Sequence, residues 1–281
     1  MAIEDYEFWF VVGTQFLYGE DIFETIDSHA AQMCEEWSKK MPCRIVAKPC
    51  VKTSKEILDV FRAANDADNC AGVITWMHTF SPSKAWIAGF NALQKPYLHV
   101  NTQFNRDIPW QDIDMDFMNL NQSAHGDREH GYIAARMRLK RKVIAGYWKD
   151  EKFQSEMETW LRAAVGAAES RKVHVLRISD NMRNVAVTDG DKIEAQIKLG
   201  WQVDHYGVGD IIKEVDAVTE EEINAQMAEY EKLYVMDTEN IDSVRYQARE
   251  EVALKKFMER YGFNAFHTNF EDLQQLRIDL F

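Results

Sequence analysis

Three short segments hold residue types that could grip a polyhydroxylated ligand: Thr14-Gln15-Phe16-Leu17-Tyr18-Gly19, His78-Thr79-Phe80 and Asn101-Thr102-Gln103. Each follows a strand-like apolar run, and ligands of open parallel sheets bind beyond the carboxyl ends of the strands. Amides and hydroxyls exchange hydrogen bonds with sugar-like hydroxyls, and aromatic rings cover apolar C–H faces. The same residue types also serve as ordinary turn and cap residues, so position alone leaves both readings open. The densest polar stretch is Asn119-Leu120-Asn121-Gln122-Ser123-Ala124-His125-Gly126-Asp127-Arg128-Glu129-His130. Its two His, Asp and Glu suggest a metal centre, but His125 and His130 are five residues apart and point in different directions on a helix. The commoner arrangement is a helix capped by Asn121 or Ser123, with solvated charges in its first turn. A sugar-contacting role for Gln122 and His125 is compatible with either. The chain has no GxGxxG, GxxxxGK[ST] or GxSxG motif. Nucleotide cradling and the usual serine-hydrolase layout therefore lack their signals.

The elements that must position these groups alternate. Strand-like runs at 7–13, 44–49, 71–77, 96–100 and 143–148 are separated by helical patterns. One helix starts at Thr53, with Glu56 as its capping-box partner. Another opens at Ser81-Pro82, where proline is tolerated in the first turn. The spacing predicts right-handed βαβ units and an α/β fold: a doubly wound parallel sheet, flavodoxin- or Rossmann-like. A helix over 150–171 leads to a second round of strands at 173–178 and 202–208, helices at 191–199, 219–235 and 243–261, and a strand-like piece at 263–269. We expect a first α/β domain over 1–171 and a smaller, incomplete one over 172–281. If that second domain packs against a further one, the apolar faces of 211–218 or 263–270 are left exposed, which predicts association. His99 and His174 fall within strand patterns and read as satisfied interior or edge residues.

Composition narrows the partners. The 281 residues carry 33 Lys and Arg against 46 Asp and Glu, a formal charge of −13, which repels phosphate backbones and argues against nucleic acid. The basic run over 136–142 reads as the cationic end of a helix. Apolar stretches are strand-sized, well short of the roughly 20 residues a membrane span needs. The acidic N-terminus is the wrong start for a secretory signal. Cys34, Cys43, Cys50 and Cys70 form no CxxC pair and read as free thiols of a cytoplasmic protein.

Five blocks, at 8–19 (FWFVVGTQFLYG), 70–83 (CAGVITWMHTFSPS), 113–131 (IDMDFMNLNQSAHGDREHG), 180–192 (DNMRNVAVTDGDK) and 270–273 (FEDL), together resemble the L-arabinose isomerase family of bacteria. The blocks are spread over essentially the whole chain. The resemblance implies a sugar isomerase interconverting L-arabinose and L-ribulose, often acting on D-galactose too, with Mn²⁺ as cofactor. It implies three domains per subunit, the first two α/β, and a homo-oligomer whose active sites lie between subunits. Gln15, Leu17, Met182 and Phe270 match residues at the family's substrate pocket. Gln122 and His125 match residues lent to a neighbouring subunit's site, and Tyr18 goes with them. Phe16 and His130 stand where some relatives carry His and Phe.

Family members continue beyond the FEDL block, and their metal is held there by two Glu and two His. Residues 275–281 do not resemble that continuation. The resemblance therefore places the Mn²⁺ ligands, and the acid and base, outside this chain. Two readings follow: a shortened L-arabinose isomerase, or a non-catalytic sugar-binding or scaffolding subunit.

Overall fold

The computed structural model describes residues 1–273 of the 281; the ending at 275–281, set apart above, lies outside the described residues. Strand β1 (Glu7–Gly13) is buried at six of its seven positions, and β3 (Cys70–Met77) at all eight, as near-continuous apolar runs covered on both faces should be. With β2 (Arg44–Ala47), β4 (Tyr97–Asn101) and β5 (Lys142–Ala145) they form a parallel sheet in the order β2-β1-β3-β4-β5. The strand order reverses between β1 and β3. Doubly wound sheets open a ligand crevice at that switch point.

Alternation along the strands sorts the interior into two layers. Phe8, Phe10, Val12, Ile74 and Trp76 pack with α1 (Asp21–Ser38) and α6 (Glu151–Ser170). Trp9, Val11, Val73 and Met77 pack with α2 (Ser54–Asp66) and α3 (Ile87–Ala92). The predicted capping box opens α2: Glu56 N–H donates to Thr53 Oγ1 at 3.2 Å, and Thr53 N–H donates to the Glu56 carboxylate at 3.3 Å.

Three local expectations differ from the fold. Past Pro82 the chain makes a 3-10 turn (Ser83–Trp86) before the six-residue α3. The Asn65 side chain ends that helix by donating to Ala92 O at 2.7 Å and accepting from Gln94 N–H at 2.8 Å. The strand expected at 143–148 stops at Ala145, because Gly146 turns at φ 141° and sends Trp148 into the core. There its indole donates to Phe104 O at 2.9 Å, and its carbonyl accepts from Trp37 Nε1 at 3.1 Å. The polar stretch at 119–130 spans the end of α4 (Met115–Leu120), opened by Asp114 accepting from Phe117 N–H at 2.8 Å, and most of α5 (Ser123–Arg136). Neither Asn121 nor Ser123 caps α5: Gln122 holds the cap position without its side chain capping the helix, and Asn121 Nδ2 donates back to Phe117 O. Asp127 is buried rather than solvated.

The chain divides into two compact units, Met1–Ala168 and the part from Glu169 onward. The second has a parallel sheet in the order β7-β6-β8, from β6 (His174–Ile178), β7 (Gln202–Tyr206) and β8 (Ala265–Thr268). Its helices are α7 (Lys192–Leu199), α8 (Val208–Ala217), α9 (Glu220–Leu233), α10 (Ile241–Tyr261) and α11 (Phe270–Leu273). Of the two apolar faces given as alternatives for exposure, the one at 211–218 is buried. Because the chain turns into α8 after Tyr206, Ile211, Val215 and Val218 pack with Leu176, Ile178 and Phe257. At 263–270, Phe263 is buried, whereas Phe266 and Phe270 are exposed. Among the described residues, no helix is long and apolar enough to cross a membrane.

Candidate functional site

The switch point is built by two loops tied to each other. Beyond β1, Thr14 is fully buried, and its hydroxyl accepts from Thr79 Oγ1, beyond β3, at 2.8 Å. Gly13 is required at this junction, since a Cβ there would meet Ser81 Oγ and the Trp86 ring at 2.6 Å. Gln15, half-buried, precedes a 3-10 turn over Phe16–Tyr18, which Gly19 closes at φ 88°. The turn leaves Leu17 80% exposed and directs Phe16 edge-on to Phe23.

The first turn of α5 meets this pair of loops. Gln122 N–H donates to His78 O at 2.9 Å, fixing the helix start to the end of β3. The Gln122 side chain then joins Tyr18 to His125, with Asn119 Oδ1 a further, longer contact of its Nε2 at 3.4 Å. Nε2 donates to Tyr18 Oη at 3.1 Å, and Oε1 accepts from His125 Nδ1 at 3.2 Å. That bond selects the Nδ1–H tautomer of His125, so Nε2 is the acceptor of the ring. The ring itself stacks on Phe80, with centroids 4.6 Å apart.

Next to Gln122 and His125 opens a cleft of about 550 Å³. Gln103, Asn105 and Asn119 line it with amides, and Ile113, Met115 and Phe117 with apolar surface. Amide donors and acceptors, one imidazole acceptor and apolar walls are what a polyol needs. Of the sequence-derived candidates, the structure brings Tyr18, Gln122 and His125 into one bonded group, with Gln15 and Leu17 on the adjoining loop. From sequence, Phe80 is only one of the strand-end aromatics; its stacking on His125 is invisible to spacing, because the two are 45 positions apart.

Beneath α5 lies a buried polar layer. Asp127 Oδ1 accepts from His99 Nε2 at 2.7 Å; His99 Nδ1 lies 2.9 Å from Thr75 Oγ1, which lies 2.8 Å from Tyr97 Oη; and Tyr97 Oη in turn bonds His130 Nε2. Burial pushes the Asp127 carboxyl above its usual range against the pull of His99, and holds His130 well below the usual imidazole value. On the other face, His29 and His78 meet at 2.8 Å, and burial with the neighbouring imidazole lowers His78 to about 3. The expectation that His99 is a satisfied interior residue holds. His174, at the start of the central strand β6, is satisfied on Asp204 Oδ2 at 2.8 Å.

A metal centre on α5 would need His125, Asp127, Glu129 and His130 to converge, and they do not. His125 lies against Phe80, Asp127 bonds His99, Glu129 accepts from Ser83 N–H at 3.0 Å, and His130 bonds Tyr97. Among the described residues, no group of three or more His, Cys, Asp or Glu side chains could hold a metal ion. The Mn²⁺ implied by the resemblance does not fit these residues.

Met182 and Phe270 belong to the second unit, Met182 on the loop that follows β6 and Phe270 at the start of α11, which follows β8. Asn269, 1% exposed, stitches those segments together: Nδ2 donates to Asp180 O (3.2 Å), Asn181 O (3.3 Å) and Asp272 Oδ2 (3.1 Å), while Oδ1 accepts from Glu271 N–H at 3.0 Å. Ser179 and Arg183 add bonds to Asp272. Met182 N–H donates to Thr188 Oγ1 at 3.1 Å, and Phe270 projects to solvent beside this stitch.

Family models match both parts of the chain: the L-arabinose isomerase N-terminal domain over residues 2–172 and the L-arabinose isomerase central domain over 174–278. Curated L-arabinose isomerases are similar throughout. That of Clostridium beijerinckii is 51% identical over 279 residues, covering 99% of this chain and 57% of the relative. That of Bacillus subtilis is 51% identical over 284 residues, with the same coverages, and that of Thermotoga neapolitana is 48% identical over 278 residues, covering 98% and 56%. The chain thus spans a little over half the length of the curated relatives it matches.

Proposed function

The chain belongs to the L-arabinose isomerase family, and on that premise we propose that it works as an aldose–ketose isomerase chain acting on L-arabinose, with L-ribulose as product. The observation that carries the sugar-holding role is the group in which Gln122 joins Tyr18 and His125 beside the cleft. In this reading Tyr18, Gln122 and His125 of the first unit are sugar-contacting residues lent to a neighbouring subunit's site, Gln15 and Leu17 are pocket residues on the adjoining loop, and Met182 and Phe270 are pocket residues carried by the second unit. Isomerisation moves a proton between C1 and C2 while both oxygens are polarised. We place the acid, the base and the Mn²⁺ ligands outside the described residues. The chain is expected to act in a homo-oligomer whose sites are shared between subunits; Ile108, Trp110, Met115 and Met118, all exposed in the loops after β4 and in α4, support association. Four free, buried cysteines support a reducing, cytoplasmic compartment.

The dispersal of the α5 carboxylates and imidazoles onto separate partners favours a second reading, a non-catalytic sugar-binding or scaffolding subunit. The two separate in one experiment: L-ribulose formation from L-arabinose with Mn²⁺ and with EDTA, alongside calorimetric titration with L-arabinose. Turnover abolished by EDTA supports the isomerase and moves the metal ligands into this chain. Sugar binding without turnover supports the second reading. Neither binding nor turnover by folded protein overturns both.

A further inference from the structure

The buried face of α5 carries a constellation that sugar contact does not use. Asp127 and His130, three residues apart, face β3 and β4, and both are almost wholly buried. The bonds described above join five side chains in a line: Asp127, His99, Thr75, Tyr97 and His130. We propose that they form one directional proton chain, which clamps α5 to β3 and β4 and thereby positions Gln122 and His125 at the start of that helix. The positioning part rests on the proposed sugar-contacting role of those two residues; the chain itself does not.

Each hydroxyl has one proton, and this fixes the direction. With Asp127 ionised, His99 Nε2–H donates to it, so His99 Nδ1 is bare and takes the Thr75 hydroxyl proton. Thr75 then has none for Tyr97, so Tyr97 O–H donates to Thr75. Tyr97 oxygen in turn accepts from His130 Nε2–H, which leaves His130 Nδ1 bare. Both ends of the line coincide with buried atoms that lack a partner, Asp127 Oδ2 and His130 Nδ1. One proton added to the Asp127–His99 pair reverses every bond beyond that pair. His99 Nδ1–H then donates to Thr75, Thr75 to Tyr97 and Tyr97 to His130 Nε2, and His130 exchanges its Nε2 proton for one on Nδ1. The state of one end is thus written in the tautomer of the other. Surrounding groups keep His130 neutral. Arg141 acts on both Tyr97 and His130, the rings of Trp86 and Phe90 close over the imidazole, and Glu129 is engaged by Ser83 N–H.

Nitrogen-15 NMR of the imidazoles in the full 281-residue chain tests this, in the unmodified protein and in Thr75→Val. At neutral pH, His130 is expected to carry its proton on Nε2. In Thr75→Val, Tyr97 loses its acceptor and turns its hydroxyl to His130, moving His130 to the Nδ1–H tautomer while His99 stays on Asp127. A His130 protonated on Nδ1 in the unmodified protein, or the same tautomer in both proteins, overturns the chain. If the variant does not fold, acidification of the unmodified protein replaces it: a tautomer switch at His130 as the pH falls supports the chain, and its absence overturns it. His125 resonances that move with the switch support positioning, and unmoved ones overturn that part. No readout involves sugar, so failure of sugar binding leaves the result interpretable.

Discussion

His125 lies nearly flat on Phe80, with ring planes inclined by 28°, and its Nδ1 donates to Gln122 at the start of its own helix. One imidazole is thereby held in plane by a ring from the loop after β3 and in tautomer by an amide. Its remaining nitrogen, Nε2, is left as an acceptor on a residue that lines the cleft.

Phe80→Ala removes the plane and leaves the amide. A stacked aromatic pair contributes about 0.5–1.5 kcal/mol, so L-arabinose affinity should fall about two- to twelve-fold by calorimetric titration. Phe80 is only half-buried, so the thermal midpoint should move little. Unchanged affinity would remove the stacked ring from the sugar wall.

Acid should weaken the fold, and His78 sets much of the slope. Burial and the neighbouring His29 lower its pKa to about 3 in the native state, against about 6.5 in an unfolded chain. The native state therefore binds fewer protons in that interval. Its stability is complete above about pH 6.5 and is lost progressively as the pH falls towards 3, by a few kcal/mol in order of magnitude. His130 acts in the same sense, whereas the raised Asp127 carboxyl acts in the opposite one. His78→Phe keeps a ring against Trp76 and removes the titration. Urea midpoints at pH 7, 5 and 4 should then fall less steeply in the variant; parallel slopes would show that His78 does not carry the effect.

Gly126 permits the close approach of α5 to β3: an added Cβ would sit 3.0 Å from Met77 Cβ and 3.6 Å from Thr79 O. Gly126→Ala should gain helix propensity yet lose stability overall, by about 1–3 kcal/mol, in urea denaturation. It should also weaken L-arabinose binding, since the displaced helix carries Gln122 and His125. A stabilised variant would mean that the helix shifts without cost.

The frame of this fold was legible because burial on both faces and capping chemistry are written locally. Phe8 to Val12 and Val73 to Met77 announce central strands, and Thr53 with Glu56 announces a helix start. What was not legible depends on distant partners. Asn121 and Ser123 look like caps, but His78 O takes the Gln122 amide and sets the helix start instead. Asp127 looks like a first-turn charge until His99, 28 positions earlier, claims it. Ile211 to Val218 looks like an orphaned apolar face until the chain turns after Tyr206 into α8 and buries it against α10. Of the candidate site, Gln122 and His125 could be named from residue type, whereas their mutual bond and the ring of Phe80 required the fold.

Asn269 offers the sharpest test of the second unit. Its amide makes three donor contacts and one acceptor contact while almost fully buried, joining the loop of Met182 to the start of α11 at Phe270. Asn269→Ala leaves the carbonyls of Asp180 and Asn181 and the Glu271 amide without this partner, at about 1–3 kcal/mol for the unsatisfied groups. Because these contacts lie at the carboxyl ends of β6 and β8, away from the core around Leu176 and Phe257, the loss should be local. Hydrogen exchange should accelerate at the Glu271 and Arg183 amides, the latter bonded to Glu271 at 2.8 Å, while the β6 amides remain protected. Global acceleration would instead make Asn269 part of the unit's folding core, and unchanged exchange would mean that Ser179 and Arg183, through Asp272, suffice to hold the loops together.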